Sequence, residues 1–276
     1  MRLKRSYLFV PGDSARKMKK AMDSGADALI LDLEDAVAPG AKEAARAAVA
    51  GFLSAPAPMP RYVRVNALDT GLAEADVAAV RGRADGYVLP KCEGPADLAD
   101  LSRLTGDAPV VAIATETVSA VRSLLSRDWT HPTLEGLAWG GEDLAADLGA
   151  SSNRDAQGRY RTPFRLARDA MLFAAKEAGV AAIDAVFTDF RDARGLEAEA
   201  MEAEAVGFTG KLAIHPAQIA PIHRAFTPGE DRVAWARRVV AAVTAAEGGV
   251  ATLDGQMLDR PHLRQARLLL ERAKAG

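Results

Sequence analysis

The stretch Ala28-Leu29-Ile30-Leu31-Asp32-Leu33-Glu34-Asp35 is a short apolar run that ends in carboxylates, and it decides the fold we expect for this chain. A continuous apolar run of this length, rich in branched side chains, is typical of a strand buried on both faces of a sheet. An Ala-rich segment of helical period, Ala41–Leu53, follows it. A strand followed by a helix is the repeating unit of a parallel sheet, so this stretch predicts an α/β architecture.

Similar apolar runs recur along the chain, and most are followed by an Ala-rich helical segment with Gly or Pro at the junction. The predicted strands are Tyr7–Val10, Ala28–Leu33, Tyr62–Val65, Gly86–Leu89, Val110–Ala114, Gly136–Trp139, Ile183–Phe187 and Leu212–Ile214. Eight such units favour a closed (β/α)8 TIM barrel. A doubly wound open sheet is the alternative, but no strand is followed by a dinucleotide-binding G-x-G-x-x-G turn or by a P-loop.

The chain continues beyond the eighth unit, and we assign residues 1–226 to the barrel and residues 227–276 to a C-terminal helical extension. Helices are predicted near Asp231–Glu247 and from Pro261 onward, and the polar turn Leu253–Pro261 separates them. The last helix carries an apolar stripe, so it must pack on an apolar surface. This extension is a candidate lid.

Composition excludes several classes of protein. Of 276 residues, 49% are hydrophobic, which is enough for a large core. Lys and Arg number 35 against 37 Asp and Glu, and aromatic residues are 5%, so a nucleic-acid partner is not expected. The single cysteine, Cys92, excludes an intramolecular disulfide and indicates a reducing, cytoplasmic location. No window approaches the roughly 18 apolar residues of a membrane span, so neither export nor a membrane partner is expected.

Carboxylates follow several of the predicted strands, at the ends where a barrel enzyme carries its catalytic groups. Glu34 and Asp35 follow the second strand, Glu116 follows the fifth and Asp143 follows the sixth. Carboxylates crowded at one mouth repel each other unless a cation shares them, and a hard divalent ion with oxygen ligands is the usual partner. We therefore predict a Mg²⁺ site, with Mn²⁺ as the alternative ion, held by Glu116 and Asp143.

Each of these polar residues also has a structural interpretation. An acidic residue after a strand is often the cap or first-turn residue of the next helix, which applies to Asp35 and Asp143. Arg64 and Lys91, after the third and fourth strands, are either site residues or partners in structural ion pairs. The histidines show no metal-ligand spacing, so a zinc centre is not expected.

Eight short motifs, taken in order, carry a resemblance that runs nearly end to end. They are Arg5–Gly12, Asp32–Val37, Arg64–Asn66, Leu89–Lys91, Glu116–Thr117, Gly141–Leu144, Ala213–Pro216 and Gly255–Asp259. In these motifs the chain resembles the citrate lyase β-subunit-like proteins, which are related to malyl-CoA and citramalyl-CoA lyases within the HpcH/HpaI aldolase superfamily. Each motif alone is short, but eight in the same order are specific.

The resemblance implies roles for residues at the barrel mouth. It implies a Mg²⁺ ion held by Glu116 and Asp143, through which the substrate also binds. It implies that Arg64 faces the thioester carbonyl, and that Glu34 and Asp35 border the metal and its waters.

The resemblance also implies roles for residues outside this group. Asp259 is implied to lie over the active site of a neighbouring subunit, while Lys91 is a catalytic candidate because of its position after the fourth strand. The C-terminal extension would then be a catalytic lid, and the protein a homo-oligomer, most often a trimer or hexamer in such relatives. Arg16 and Lys17 can meet nucleotide phosphates, although a solvated helix face explains them as well.

The activity that the resemblance implies is a carbon–carbon lyase. It would cleave a short β-hydroxyacyl-CoA, such as malyl-CoA or citramalyl-CoA, to an acyl-CoA and an α-keto acid. Arg64 would stabilise the enolate oxygen, and Asp259 would protonate the enolate carbon. The alternatives are a thioesterase on the same esters, a citrate-lyase-type subunit that acts on a carrier-bound acyl group, and a metal-dependent aldolase for free keto acids. The segment Thr117–Ala120 departs from the turn ending in Gly of many relatives, which leaves the keto acid open.

Overall fold

The structure is a computed structural model that describes residues 3–246 and 249–275. Residues 4–222 form one compact unit, and the residues from His223 onward belong to a second. The domain boundary at residue 226, inferred from the sequence, stays a prediction. None of the helices within the described ranges is long and apolar enough to cross a membrane.

Eight parallel strands close into a barrel in the first unit. The strands are β1 Ser6–Pro11, β2 Ala28–Asp32, β3 Arg61–Arg64, β4 Gly86–Leu89, β5 Val110–Ile113, β6 Leu134–Ala138, β7 Ala181–Asp184 and β8 Gly210–Ala213. Each strand pairs with the next in the chain, and β8 pairs with β1 to close the ring. This confirms the (β/α)8 TIM barrel predicted from the repeated strand and helix units.

Helices follow the strands of this unit. They are α1 Ala15–Ala21, α2 Lys42–Leu53, α3 Ala73–Val80, α4 Pro95–Thr105, α5 Val118–Leu124, α6 Glu142–Asp147, α7 Thr162–Glu177 and α8 Ala193–Val206, and α9 Ile219–Phe226 comes after β8. In α2 the buried residues Ala45, Val49 and Leu53 recur every four positions, which is the apolar stripe that a helix packs on a sheet.

The barrel interior is filled by side chains that alternate along the strands. Its buried members are Tyr7, Ala28, Ile30, Tyr62, Val88, Val111, Ile113, Ala138, Ile183 and Leu212. On β2, Ile30 points inward, so Asp32, two residues later, lies on the same face at the C-terminal end of the strand. On β3, Tyr62 points inward, so Arg64, two residues later, also lies on the inward face.

Two strands begin earlier than their apolar runs indicated. The ladder between β7 and β8 pairs Ile183 with Gly210 and Asp184 with Lys211. The apolar runs predicted strands at 183–187 and 212–214. The first already contained Asp184, whereas the second began after Lys211 because charged residues are rarely buried inside a sheet. Here the charges are paired, since Lys211 Nζ lies 2.5 Å from Asp184 Oδ2, and paired charges can be buried.

The second unit holds two packed helices and a short hairpin. Its elements are α10 Glu230–Ala245, β9 Ala251–Leu253, β10 Gln256–Leu258 and α11 Arg260–Ala275. Their buried core contains Ala236, Val239, Val243, Leu258, Ala266 and Leu269. The hairpin turn Asp254-Gly255 has φ values of 50° and 77°, which an Asp-Gly pair adopts readily.

The sequence predicted both helices of this unit but missed the hairpin, which it interpreted as a polar turn. Strands of three residues are too short to show an alternating pattern. Glu247, where the first of these helices was predicted to end, lies outside the described residues.

Candidate active site

A pocket of about 440 Å³ lies at the C-terminal ends of the barrel strands. Its acidic lining residues are Asp32, Asp35, Glu116, Glu142 and Asp143, Arg64 supplies a guanidinium, and the apolar wall includes Phe9, Ile113, Trp139, Val186 and Leu212. An apolar cavity with a few convergent polar groups is the usual form of a small-molecule site.

Arg64 is fixed in this pocket by Asp32. Its Nε donates to Asp32 Oδ1 at 2.7 Å and its Nη2 to Asp32 Oδ2 at 2.6 Å, which sets the plane of the guanidinium. The Asp32 carboxylate also accepts from the backbone N–H groups of Glu34 and Ala36, so the anchor is itself held. Burial lowers the pKa of Arg64, but the hydrogen bonds and charge of Asp32 outweigh it and leave the pKa raised, so the group stays charged.

Lys91 contacts carboxylates that follow three different strands. Its Nζ donates to Glu34 Oε1 at 2.7 Å and lies 3.3 Å from Asp143 Oδ1. Its backbone N–H donates to Glu116 Oε2 at 2.6 Å. The φ of Lys91 is 50°, in the left-handed region, which costs on the order of 1 kcal/mol for a residue with a Cβ.

Glu116 is buried, with 5% of its surface exposed, beside the loop Gly140-Gly141 that leads into α6, the helix on which Asp143 lies. Thr115 fixes this loop, because its Oγ1 accepts from the Gly140 N–H at 2.9 Å and donates to the Gly140 carbonyl at 3.0 Å. The pKa of Glu116 is raised to about 8. Burial is the largest cause and the charges of Asp143 and Glu34 add to it, while the hydrogen bond from the backbone N–H of Lys91 opposes them. Burial disfavours the charged form of this carboxylate, and a cation bound beside it would stabilise that form.

The charges of the site fit a divalent cation. The linked side chains are the carboxylates Asp32, Glu34, Glu116 and Asp143 and the cations Arg64 and Lys91. Four negative charges against two positive ones leave a formal deficit of two. Oxygen donors of this kind suit Mg²⁺.

A second observation bears on the choice of ion. Across residues 3–246 and 249–275, no group of three or more His, Cys, Asp or Glu side chains is arranged to hold a metal. Mg²⁺ commonly takes only one or two protein carboxylates and completes its shell with water and substrate, so the residues present fit this ion. The assignment of Glu116 and Asp143 as its ligands stays a prediction.

The structure brings five of the sequence-predicted residues together at the mouth. They are Glu34, Arg64, Lys91, Glu116 and Asp143. Asp35 lines the pocket and is exposed. Arg64 and Lys91 also form ion pairs, as their structural interpretation predicted. The partners, however, are carboxylates of the site itself, Asp32 and Glu34.

The remaining candidates lie elsewhere. Arg16 and Lys17 are exposed on α1. Asp259 belongs to the second unit, where its Oδ1 lies 2.6 Å from His262 Nδ1. Their assigned roles stay predictions.

Two features of the pocket were not identified from the sequence. Asp32 was quoted only as part of a motif, although the alternation along β2 identifies it as an inward residue. The rings of Trp139 and Tyr160 form an edge-to-face pair with centroids 4.7 Å apart, and Trp139 Nε1 donates to Asp184 at 2.7 Å. Tyr160 comes from the long connection between α6 and α7, and no local pattern indicates that this connection folds back onto the barrel mouth.

Comparison with known proteins gives consistent results. A sequence profile described as HpcH/HpaI aldolase/citrate lyase matches residues 5–216. A citrate lyase subunit beta-like protein of Mycobacterium tuberculosis is 40% identical over 97% of this chain and 94% of that protein. A (3S)-malyl-CoA thioesterase of Cereibacter sphaeroides is 37% identical over 98% and 95%, respectively. A mitochondrial citramalyl-CoA lyase of Rattus norvegicus is 35% identical over 95% and 84%.

The structure of this chain also resembles solved structures. A crystal structure of CitE from Mycobacterium tuberculosis, in complex with magnesium, acetoacetate and coenzyme A, has a TM-score of 0.88 to this chain and 38% sequence identity. The match covers 99% of this chain and 100% of that one. That relative therefore combines the fold described above with a bound magnesium ion and a CoA molecule.

Proposed function

Because this chain belongs to the HpcH/HpaI aldolase/citrate lyase family, we propose that it is a Mg²⁺-dependent carbon–carbon lyase of short β-hydroxyacyl-CoA esters. Malyl-CoA and citramalyl-CoA are the proposed substrates, and an acyl-CoA and an α-keto acid are the products. The observation that carries the proposal is the carboxylate cluster with a deficit of two positive charges beside a fixed arginine. Family members bear names of lyases and of thioesterases.

Glu116 and Asp143 are the proposed ligands of Mg²⁺, and Glu34 and Asp35 border its waters. When bound there, the ion supplies a Lewis acid for the hydroxyl and carboxylate oxygens of the substrate. Lys91 donates to Glu34 at 2.7 Å, so the carboxylate of Glu34 is held in position beside the proposed metal site. The pair Glu34 and Asp35 also offers carboxylates to accept the proton that leaves the substrate hydroxyl.

Arg64 is the proposed donor to the thioester oxygen as this oxygen gains charge. Two of its nitrogens are occupied by Asp32, and its Nη1 lies 2.8 Å from Glu34 Oε2 without hydrogen-bond geometry. Nη1 thus carries donors for a substrate oxygen. A donor held in place before the reaction stabilises a developing oxyanion without reorganisation.

Asp259 is the proposed proton donor to the enolate carbon, and its base when the reaction runs as a condensation. It follows β10 at the start of α11, and its Oδ1 lies 2.6 Å from His262 Nδ1, which supports a defined orientation for its carboxylate. We propose that it serves the active site of a neighbouring subunit in a trimer or hexamer. Arg16 and Lys17 on α1 are proposed to meet the nucleotide phosphates of CoA.

A thioesterase is the second candidate, and the specific support for it is the 37% identity to a (3S)-malyl-CoA thioesterase over 98% of this chain. The same pocket would then admit a water molecule that attacks the thioester carbonyl. Arg64 would stabilise the oxyanion of that reaction too. A carrier-dependent subunit, as in citrate lyase, differs from both because it would not act on free CoA esters.

Metal removal and replacement test the proposal. Purified protein is dialysed against EDTA and then supplied with Mg²⁺ or Mn²⁺ in the presence of citramalyl-CoA or malyl-CoA. We expect α-keto acid to form only after the ion is restored. Formation of keto acid at the full rate in EDTA would contradict the metal-dependent lyase.

A further inference from the structure

Lys91 lies after β4, between carboxylates that follow β2, β5 and β6. We propose that Lys91 is a resident counter-ion of the metal site: it holds the three carboxylates together before a metal ion binds, and its ammonium competes with that ion. This inference rests on the proposed function, because it takes Glu116 and Asp143 to be the metal ligands. Beyond that function, it makes Lys91 a residue that sets the affinity of the site for the metal ion.

The backbone and the side chain of Lys91 make separable contacts. The backbone N–H holds Glu116 Oε2 at 2.6 Å, and this contact does not depend on the charge of the side chain. The ammonium holds Glu34 Oε1 at 2.7 Å and Asp143 Oδ1 at 3.3 Å. A substitution that keeps the backbone conformation therefore removes the charge and leaves Glu116 in position.

The two ammonium contacts differ in strength and exposure. The Glu34 side chain is 7% exposed and its contact with Lys91 is short, whereas the Asp143 side chain is 37% exposed and its contact is longer. Charge pairs are weaker when they are longer and better hydrated. The contact to Asp143 is thus the one that a metal ion replaces more easily, while Glu34 keeps the ammonium nearby.

The ammonium and a divalent ion carry like charges, and Asp143 is both a partner of the ammonium and a proposed ligand of the ion. A cation bound by Glu116 and Asp143 is repelled by the ammonium that Glu34 holds beside them. Loss of the ammonium removes this repulsion and leaves Asp143 without its cation. Both changes increase the affinity of the site for the metal ion and lower the stability of the metal-free protein.

The conformation of Lys91 provides a matched pair of variants. A glycine adopts a φ of 50° without cost, so Lys91→Gly removes the side chain and relieves the backbone. Lys91→Met keeps the length of the side chain and removes only its charge. Lys20→Met, at an exposed position on α1, makes the same chemical change away from the site and serves as the control.

The test is calorimetric titration of the full, EDTA-treated protein with MgCl₂, together with melting temperatures in EDTA and in Mg²⁺. In Lys91→Met and Lys91→Gly we expect the Kd for Mg²⁺ to fall about tenfold, the change that roughly 1.4 kcal/mol produces. We also expect a larger Mg²⁺-induced rise in melting temperature than in the wild type. Lys20→Met should match the wild type in both measurements.

Each outcome bears on the inference. If the wild type binds Mg²⁺ but both variants bind it with equal or lower affinity, Lys91 is not a competing counter-ion, and the proposed function still stands. If the wild type itself does not bind Mg²⁺, both the inference and the metal-dependent function are overturned. If Lys91→Met does not fold, Lys91→Gly decides the question.

Discussion

Asp32 and Arg64 are register partners on β2 and β3, and the carboxylate of Asp32 receives two hydrogen bonds from the guanidinium of Arg64. Both residues lie on the inward face of their strands at the C-terminal ends, so the ion pair forms inside the pocket rather than beneath the helices. The strand register thus fixes the plane of the arginine, and Phe9 lies with its ring centroid 4.7 Å from the guanidinium carbon.

Replacement of Arg64 by lysine keeps the charge but removes the planar fork that Asp32 holds. We expect kcat for keto-acid formation to fall by roughly 10²- to 10³-fold, the usual cost of losing an oxyanion donor, with a much smaller change in KM. Steady-state kinetics on citramalyl-CoA measures both constants. Arg103→Lys, at an exposed position on α4, is the control and should leave kcat unchanged. An unchanged kcat in Arg64→Lys would remove Arg64 from the reaction.

Glu116→Gln and Asp143→Asn each remove one negative charge from the proposed metal site at nearly constant shape. Both variants are expected to lose Mg²⁺-dependent turnover and to bind Mg²⁺ more weakly in calorimetric titration, because the ion loses a carboxylate ligand. Asp107→Asn, at an exposed position before β5, should behave as the wild type. Wild-type turnover in either site variant would show that its carboxylate does not hold the ion.

Asp259→Ala is expected to reduce kcat far more than it weakens CoA binding, because the proposed role of Asp259 is proton transfer and not substrate affinity. The rate of keto-acid formation and the Kd for CoA measure the two effects separately. Asp254→Asn is the control, since it lies in the hairpin turn of the same unit and asparagine tolerates its φ of 50°. A kcat equal to that of the wild type would return Asp259 to a structural role beside His262.

Subunit complementation tests whether Asp259 acts on a neighbouring subunit. Arg64→Lys and Asp259→Ala chains are each expected to be nearly inactive alone. Co-expressed in one oligomer, they can pair an intact barrel mouth with an intact Asp259 from another chain. Recovery of part of the wild-type rate in mixed oligomers is expected, and no recovery would contradict an active site shared between subunits.

The lowered pKa of Asp184 leads to a prediction of how the free energy of unfolding depends on pH. Burial raises the pKa of Asp184, but the charges of Lys211 and Arg168 outweigh it, so the pKa in the folded protein lies below its ordinary value. The pair therefore stabilises the fold above the unfolded-state pKa of about 4, and this contribution is lost as the pH falls through the lower folded-state pKa. Denaturant unfolding at several pH values should show the free energy of unfolding falling below about pH 4.

The matched variant for this prediction is Asp184→Asn. At neutral pH it removes the negative charge that Lys211 and Arg168 share and leaves Glu199 as the partner of Lys211; removal of one partner from a buried ion pair costs about 3 to 5 kcal/mol in typical cases. Its stability should then change less on acidification than that of the wild type. Asp169→Asn, at an exposed position on α7, should follow the wild-type curve. A parallel loss of stability in Asp184→Asn and the wild type would contradict the assignment.

The barrel and most of its mouth could be predicted from the sequence, because apolar runs mark buried strands and the carboxyl ends of parallel strands meet at one edge. The sequence alone therefore predicts that Glu34, Glu116 and Asp143 lie together. The links between them could not be predicted. The contact from the Lys91 backbone depends on a left-handed φ, which a lysine rarely adopts and no sequence pattern indicates.

Strand limits were less predictable where charges are buried in pairs. Asp184 and Lys211 are charged residues inside β7 and β8, and their burial is favourable because they pair with each other, while Arg168 also pairs with Asp184 and Glu199 with Lys211. Such a pair is visible once the two strands are aligned, and it is invisible in either strand alone. The same holds for Asp32, whose role depends on its register partner in β3.

The most direct test of the central claim is identification of the products that the purified chain forms from citramalyl-CoA and malyl-CoA with Mg²⁺. Mass spectrometry and a free-thiol assay on the same samples separate the two reactions at this site. A lyase yields an α-keto acid and a shorter acyl-CoA in equal amounts, without free CoA thiol, and this is the result we predict. Release of free CoA with the intact hydroxy acid, and no keto acid, would contradict the lyase and identify the chain as a thioesterase.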